Sequence, residues 1–315
     1  MHCLVTGAAG FVGSTLVERL LELGHTVVGL DCFIDYYPKA VKLSNIEKAR
    51  SNSRYTFVED NLVTCDLPRI CDGVQWIFHQ AGQAGVRASW GSYFDTYTLN
   101  NITATQRLLE YVKGSKKVER VVYASSSSVY GNAETLPTTE DMRPQPVSPY
   151  GVTKLAAEHL MSLYASEFNV PTVSLRYFTV FGPRQRPDMG FHRFIRAALQ
   201  KEEIVLYGDG TQSRDFTFVR DIVDANILAA EKGAKGGVYN IGGGCRATVL
   251  EVFEIIESYV GKMKIRREDR QKGDALHTGA STDRARRELG YAPQFSLKEG
   301  IRLEVDWLRD QIARA

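Results

Sequence analysis

Short apolar runs recur through the first half of the chain, and between them apolar positions return every three or four residues. The runs Cys3–Thr6, Thr26–Leu30, Tyr55–Glu59, Trp76–His79, Val121–Ala124 and Thr172–Leu175 predict strands. Phe11–Leu23 sets Val12, Leu16, Leu20 and Leu23 on one stripe, which predicts a helix, and Asn101–Val112 and Tyr150–Phe168 read the same way. Strands alternating with helices predict an α/β fold built on a doubly wound parallel sheet covered on both faces.

Beyond about residue 176 the pattern loosens. Gly-, Pro- and Arg-rich loops (182–190, 208–214, 242–244) interrupt short strands and a few helices. This predicts a Rossmann-type domain over 1–176 and a smaller C-terminal substrate-binding lobe made mainly of 177–315, with some segments returning to the first domain. There is no internal repeat and no low-complexity tract.

Lys and Arg number 39 against 37 Asp and Glu, so bulk charge gives no reason to expect nucleic acid or an acidic membrane as partner. An anionic small molecule needs only a local cluster of arginines. No apolar run reaches the length of a membrane span. The first residues enter the Cys3–Gly7 motif with no basic region before it, so no signal peptide is expected. The five cysteines form no CxxC pair, which predicts neither a disulfide framework nor a metal site and suits a cytoplasmic protein. The six histidines show no metal spacing, and structural or surface roles are expected for them.

Chemistry concentrates in three places. Gly7-Ala8-Ala9-Gly10-Phe11-Val12-Gly13 follows the first strand and opens the first helix with GxxGxxG spacing. Gly7 permits the tight turn, Gly10 lets backbone N–H groups approach a pyrophosphate, and Gly13 lets helix and strand pack closely. Asp31 ends the second strand, where a carboxylate accepts from ribose hydroxyls and repels a 2′-phosphate; the expected cofactor is therefore NAD. Asn61 and Leu62 follow the third strand and suit an adenine edge and face. Second, Tyr150 and Lys154 lie four apart on one helix face, so the ammonium is expected to favour the phenolate and fit Tyr150 for general-base work. Third, Ser125–Ser128 follow the fifth strand, and hydroxyls at such a strand end face the ligand crevice.

Together with SSSxVYG, YxxxK, Arg176-Tyr177-Phe178, Phe181-Gly182-Pro183-Arg184, the run Tyr207–Phe216 and Gly273-Asp274, these motifs resemble the extended short-chain dehydrogenases/reductases over nearly the whole chain. The resemblance implies a Rossmann domain with a small substrate lobe, tightly held NAD and a sugar linked to a nucleoside diphosphate. It implies Ser126, Tyr150 and Lys154 as catalytic residues. Cofactor contacts are implied for Gly7, Gly10, Phe11, Val12, Gly13, Asp31, Asn61, Leu62, Gln80, Ala81, Tyr150 and Lys154. The members pair as homodimers through the helices matching Asn101–Val112 and Tyr150–Phe168.

In the family's 4,6-dehydratases the two residues after the catalytic serine are Asp and Glu, and the UDP-glucuronate decarboxylases carry Glu second. Here they are Ser127 and Ser128, which leaves 4-epimerisation. The stretch RYFTVFGPRQRPDM over 176–189, Asp35-Tyr36-Tyr37 and Ala84-Gly85-Val86-Arg87 resemble the UDP-glucuronate 4-epimerases, and Thr179 stands where galactose-type epimerases carry Asn. The uronate carboxylate is then expected on Arg186, Thr179 and the hydroxyls of Ser127 and Ser128, held so that the 4-keto acid does not lose CO₂. Arg214 and Arg87 are expected on the diphosphate, with Gln212, Gln271 and Asp274 as further nucleotide contacts. The rival readings are a UDP-glucose or UDP-N-acetylglucosamine 4-epimerase, a UDP-glucuronate decarboxylase and a non-catalytic NAD-binding regulator.

Overall fold

The computed structural model describes residues 1–269 and 276–314. Seven strands form one parallel sheet: β1 His2–Thr6, β2 Thr26–Asp31, β3 Tyr55–Glu59, β4 Trp76–His79, β5 Arg120–Ser126, β6 Thr172–Tyr177 and β7 Gly237–Ile241. Their order is β3-β2-β1-β4-β5-β6-β7. The order reverses between β1 and β4, and in such sheets the ligand crevice opens at the carboxyl ends of strands at that point.

The period-two geometry of a strand divides the apolar runs between two cores. Cys3 and Val5 face one side with Val27, Val122, Val173 and Leu175. Leu4 faces the other with Ile77, Val121 and Tyr123. Helix α1 (Phe11–Glu22) covers the first side with Leu16, Val17, Leu20 and Leu21. It ends one residue before the sequence predicts. Leu23 is the C-cap and is 45% exposed, because the chain turns away through Gly24. Helix α2 (Lys39–Arg50) lies between β2 and β3.

The second side is covered by α3 (Ala104–Gly114) and α4 (Pro149–Phe168). The predicted helix start at Asn101 is a π-helical turn over Thr98–Thr103, which passes into α3. Helix α4 begins with Pro149, whose fixed φ suits a first helical position, and the Ser148 hydroxyl accepts from the Gly151 amide at 3.1 Å. It ends at Asn169 in the left-handed conformation.

The remaining segments divide. Helices α5 (Gly190–Gln200), α7 (Val249–Val260) and α9 (Leu297–Arg314) pack with short strand pairs around Phe181, Phe191, Phe216, Phe218, Ile256 and Ile301. By contrast α6 (Val219–Lys232) and α8 (Asp283–Leu289) bury Ile222, Val223, Ala285 and Leu289 in the first core, and β7 pairs with β6. Among the described residues no helix is long and apolar enough to cross a membrane.

Candidate active site

A cleft of about 830 Å³ opens over the carboxyl ends of β1, β4 and β5, between the sheet and the lobe. The described residues expected from the sequence to touch cofactor or substrate line it: Gly7, Gly10, Phe11, Val12, Gly13, Asp31, Asn61, Leu62, Gln80, Ala81, Arg87, Ser126, Ser127, Ser128, Tyr150, Lys154, Thr179, Arg186, Gln212 and Arg214. Gln271 and Asp274 lie outside the described residues.

At the switch point Gly7 has φ +68°, and a Cβ there would stand 2.8 Å from the Ala81 nitrogen. A Cβ on Gly13 would meet the Gly7 carbonyl oxygen at 2.1 Å, so only glycine lets α1 approach β1 this closely. Gly10 caps α1 without a side-chain bond. The first N–H groups of a helix have no intrahelical acceptor, so this end fits a pyrophosphate. Asp31 is buried; its carboxylate accepts from the Ala9 amide at 3.1 Å and the Phe33 amide at 2.8 Å. Lys42, also buried, places its ammonium 3.9 Å from Asp31. Asn61 turns its side-chain oxygen to the Val63 amide (2.9 Å). Leu62 is buried in the second core, and its carbonyl accepts from Arg107 at 2.6 Å. The Gln80 side chain closes a ring with Tyr177 and Asn226 at 2.7–3.0 Å. These residues fit a dinucleotide with its pyrophosphate on α1 and a ribose toward Asp31.

Ser126 is the last residue of β5, and its hydroxyl accepts from the Ser128 amide at 3.1 Å. Burial pushes the Tyr150 phenol up, while the nearby Ser126 hydroxyl and the Arg186 charge draw it down. The net direction is upward, opposite to the expectation built on Lys154. The physical reason is burial, which outweighs the groups that draw the phenol down; the Lys154 ammonium meanwhile donates to the Ala124 carbonyl at 2.8 Å and stands 5.0 Å from the Tyr123 ring centre. Burial lowers Lys154 itself to about 8. Among the described residues, the positive charge that draws Tyr150 down is Arg186.

Arg186 already has a carboxylate. Its Nε and Nη2 donate to the two oxygens of Asp188, each at 3.0 Å. The Tyr36 hydroxyl donates to the same carboxylate at 3.2 Å. Burial draws the guanidinium down, but Asp188 outweighs it and holds Arg186 above its ordinary range. Thr179 lines the same wall, and its carbonyl accepts from the Thr217 amide at 2.9 Å. Farther out, Arg87 stacks 4.9 Å from the Tyr207 ring centre, Gln212 donates to the Tyr207 carbonyl at 3.0 Å, and Arg214 donates to the Ser213 and Leu276 carbonyls at 3.0 and 2.9 Å.

Sequence reasoning missed Lys42 and gave no individual role to Asp188 or Tyr207, which it quoted only within matching stretches. Lys42 had a signal: it shares a buried helix face with Asn45, Ile46 and Ala49, where a lysine needs a reason to be. It also missed what stands behind the serine run. Ser125 donates to Glu158 at 2.6 Å, and Glu158 takes Arg176 on both oxygens at 2.6 and 3.0 Å, all of it buried.

The chain is 44% identical over 311 residues to the protein of Bacillus subtilis (strain 168) named "Uncharacterized UDP-glucose epimerase YtcB", with 98% of each chain covered. It is 35% identical over 318 residues to the UDP-glucuronate 4-epimerase of Thermodesulfobacterium geofontis (strain OPF15), covering 99% of this chain and 97% of that one. The crystal structure of the UDP-glucuronic acid 4-epimerase from Bacillus cereus, in complex with UDP-glucuronic acid and NAD, superposes with a TM-score of 0.95 at 41% identity and covers 99% of this chain and 100% of that one. With residues 3–242 matching its model, the chain belongs to the NAD dependent epimerase/dehydratase family.

Proposed function

We propose that this chain interconverts UDP-glucuronic acid and UDP-galacturonic acid at C4, using bound NAD and without losing CO₂. The observation that carries the reading is the wall facing Tyr150. Ser126, Ser127, Ser128 and Thr179 line the cleft with Tyr150, and at Ser127 and Ser128 hydroxyls stand where, by the family resemblance, an elimination or decarboxylation needs Asp or Glu. The likeness to the Bacillus cereus enzyme, whose crystal structure holds UDP-glucuronic acid and NAD, supports it.

Bound NAD supplies a hydride acceptor and donor at the sugar's C4. The residues of the chain do the rest. Tyr150 takes the O4 proton, with the Ser126 hydroxyl assisting beside it, and gives a proton back after the 4-keto sugar has turned its other face. Ser127, Ser128 and Thr179 hold the carboxylate and keep its bond to C5 out of line with the ketone, which slows loss of CO₂. Arg186, held by Asp188, acts mainly as a fixed positive charge beside Tyr150 and only in part as a carboxylate donor. Arg87, Gln212 and Arg214 hold the diphosphate and nucleoside, so the sugar can turn while its anchor stays. Residues 1–176 then carry the cofactor, and 177–315 carry mainly the sugar nucleotide, with α6, β7 and α8 returning to the first sheet.

The same reading makes the protein a cytoplasmic homodimer. Val152 and Leu163 lie exposed along one face of α4 with His159 between them, a partly apolar stripe that a second copy would cover. A second substrate reading, UDP-glucose, is favoured by the occupied fork of Arg186, since a neutral sugar needs no free cation.

Purified protein incubated with UDP-glucuronate and no added cofactor, followed by NMR, tests the proposal. UDP-galacturonate without CO₂ is the expected product. Conversion of UDP-glucose alone would keep the mechanism and replace the substrate. A pentose with CO₂ would overturn the reading of the serine wall.

A further inference from the structure

Behind the cleft a run of buried polar groups joins the glycine-loop strand to the turn that carries Tyr150. The Ala81 amide donates to Thr6 Oγ1 at 3.1 Å, and Thr6 Oγ1 lies 2.8 Å from His79 Nδ1. His79 Nε2 lies 2.9 Å from Thr105 Oγ1, whose proton goes to the Asn101 carbonyl at 2.7 Å. The side chain of Asn101 then takes the Gln83 amide at 2.7 Å and donates to the Gln83 carbonyl at 3.1 Å and to Thr153 Oγ1 at 2.9 Å. Thr153 passes its own proton to the Tyr150 carbonyl at 2.9 Å.

Proton counting fixes the direction. A threonine hydroxyl has one proton. Thr105 spends it on Asn101, so it must accept from His79, and Nε2 carries the ring hydrogen. Nδ1 is then bare and takes the Thr6 proton, while Thr6 accepts from Ala81. Every donor in the run meets an acceptor. A second ring proton would leave the Thr6 hydroxyl hydrogen without one, and burial holds His79 down at about 3, in its neutral form. Such a fully paired buried network admits one geometry, which an apolar core would not impose.

The run passes close to the reacting groups. A Cβ on Gly82 would lie 2.9 Å from Asn101 Oδ1 and 3.3 Å from the Lys154 ammonium, so the loop, Asn101 and Lys154 are packed against one another. Asn101 sits in the π turn before α3, a local irregularity that recurs at functional sites. His79, Asn101, Thr105 and Thr153 stand behind the cleft wall and are buried.

We propose that Thr6, His79, Thr105, Asn101 and Thr153 form one positioning network that holds the Gln80–Gln83 loop in register with Tyr150 and Lys154. They are positioning residues: they act through the backbone of Tyr150 and through the loop beside Lys154. The proposal rests on the reading of Tyr150 and Lys154 as the reacting pair.

Thr153→Val removes both hydrogen bonds at nearly constant shape, and Thr153→Ser restores them. In Thr153→Val kcat falls on the order of tenfold or more while KM for the UDP-sugar stays within about twofold, as expected for misaligned rather than missing groups. The rising limb of kcat against pH moves to higher pH, and Thr153→Ser returns both to the parent values. His79→Gln keeps a donor toward Thr105 but loses the acceptor for Thr6. It gives the same pattern and replaces Thr153→Val if that variant does not fold. Independently of activity, ¹⁵N NMR of the histidines reports His79 as the Nε2–H tautomer, neutral down to pH 5. Parent kcat and pH profile in Thr153→Val, or an Nδ1–H tautomer, overturn the proposal. An inert parent protein sinks the functional reading alone. The network is then judged by the His79 tautomer and by slow hydrogen exchange at the Ala81 and Gln83 amides.

Discussion

The charge beside Tyr150 separates two ideas about how the phenol is tuned. A positive charge favours the phenolate, so its removal raises the phenol pKa and its release from a partner lowers it. Arg186→Gln therefore moves the rising limb of kcat against pH to higher pH, by about half a unit to one unit. Asp188→Asn leaves the guanidinium less neutralised and moves the limb the other way, while Arg186→Lys keeps the charge and most of the limb position. A limb unmoved in all three variants would return the tuning to Lys154. The residues legible in the sequence were those whose partners lie near in the chain or follow a fixed spacing: Gly7, Gly10 and Gly13 on one loop, and Tyr150 and Lys154 on one helix face. Tyr36 and Asp188 meet across 152 positions, and no local pattern announces that.

At the level of elements, strands and helices are legible because alternation and the helical stripe record burial directly. Their ends are less legible, since an end depends on what a side chain finds there. The π turn before α3 is an example, with Asn101 bonded to Gln83 and Thr153. Another is β6, predicted to stop at Leu175 but continuing to Tyr177 because Arg176 turns inward onto Glu158. That ion pair, with Ser125, fastens the ends of β5 and β6 to α4 and so fixes the serine run against the Tyr150 helix. Both side chains are at most 5% exposed, so losing one leaves a buried charge without its partner. Arg176→Met is expected to lower stability by about 3–5 kcal/mol in urea unfolding, and the double replacement Glu158→Leu with Arg176→Met by clearly less. Equal losses in the single and double variants would mean that the pair matters for packing rather than for charge.

For the whole molecule, the chain does not divide at the boundary where its pattern changes. The first 176 residues contain the glycine loop, Asp31, Tyr150 and Lys154, yet one face of their sheet is finished by later segments. Helix α6 lays Ile222 and Val223 on it, β7 pairs with β6 through Tyr239 and Ile241, and α8 adds Ala285 and Leu289. Cut at residue 176, β6 becomes an open edge, and Val173 and Leu175 lose their cover on one face. The fragment 1–176 is therefore expected to aggregate or to lack a cooperative thermal transition, and to bind no NAD, although every predicted cofactor contact lies within it. A cooperative melt with NAD retained would show that the returning segments serve the substrate lobe alone. The expected failure would mean that the cofactor cannot be held without the chain that closes over the sugar nucleotide. One folding unit then carries both halves of the cleft, and the loose, loop-rich second half of the sequence is as much a part of the dinucleotide fold as the regular first half.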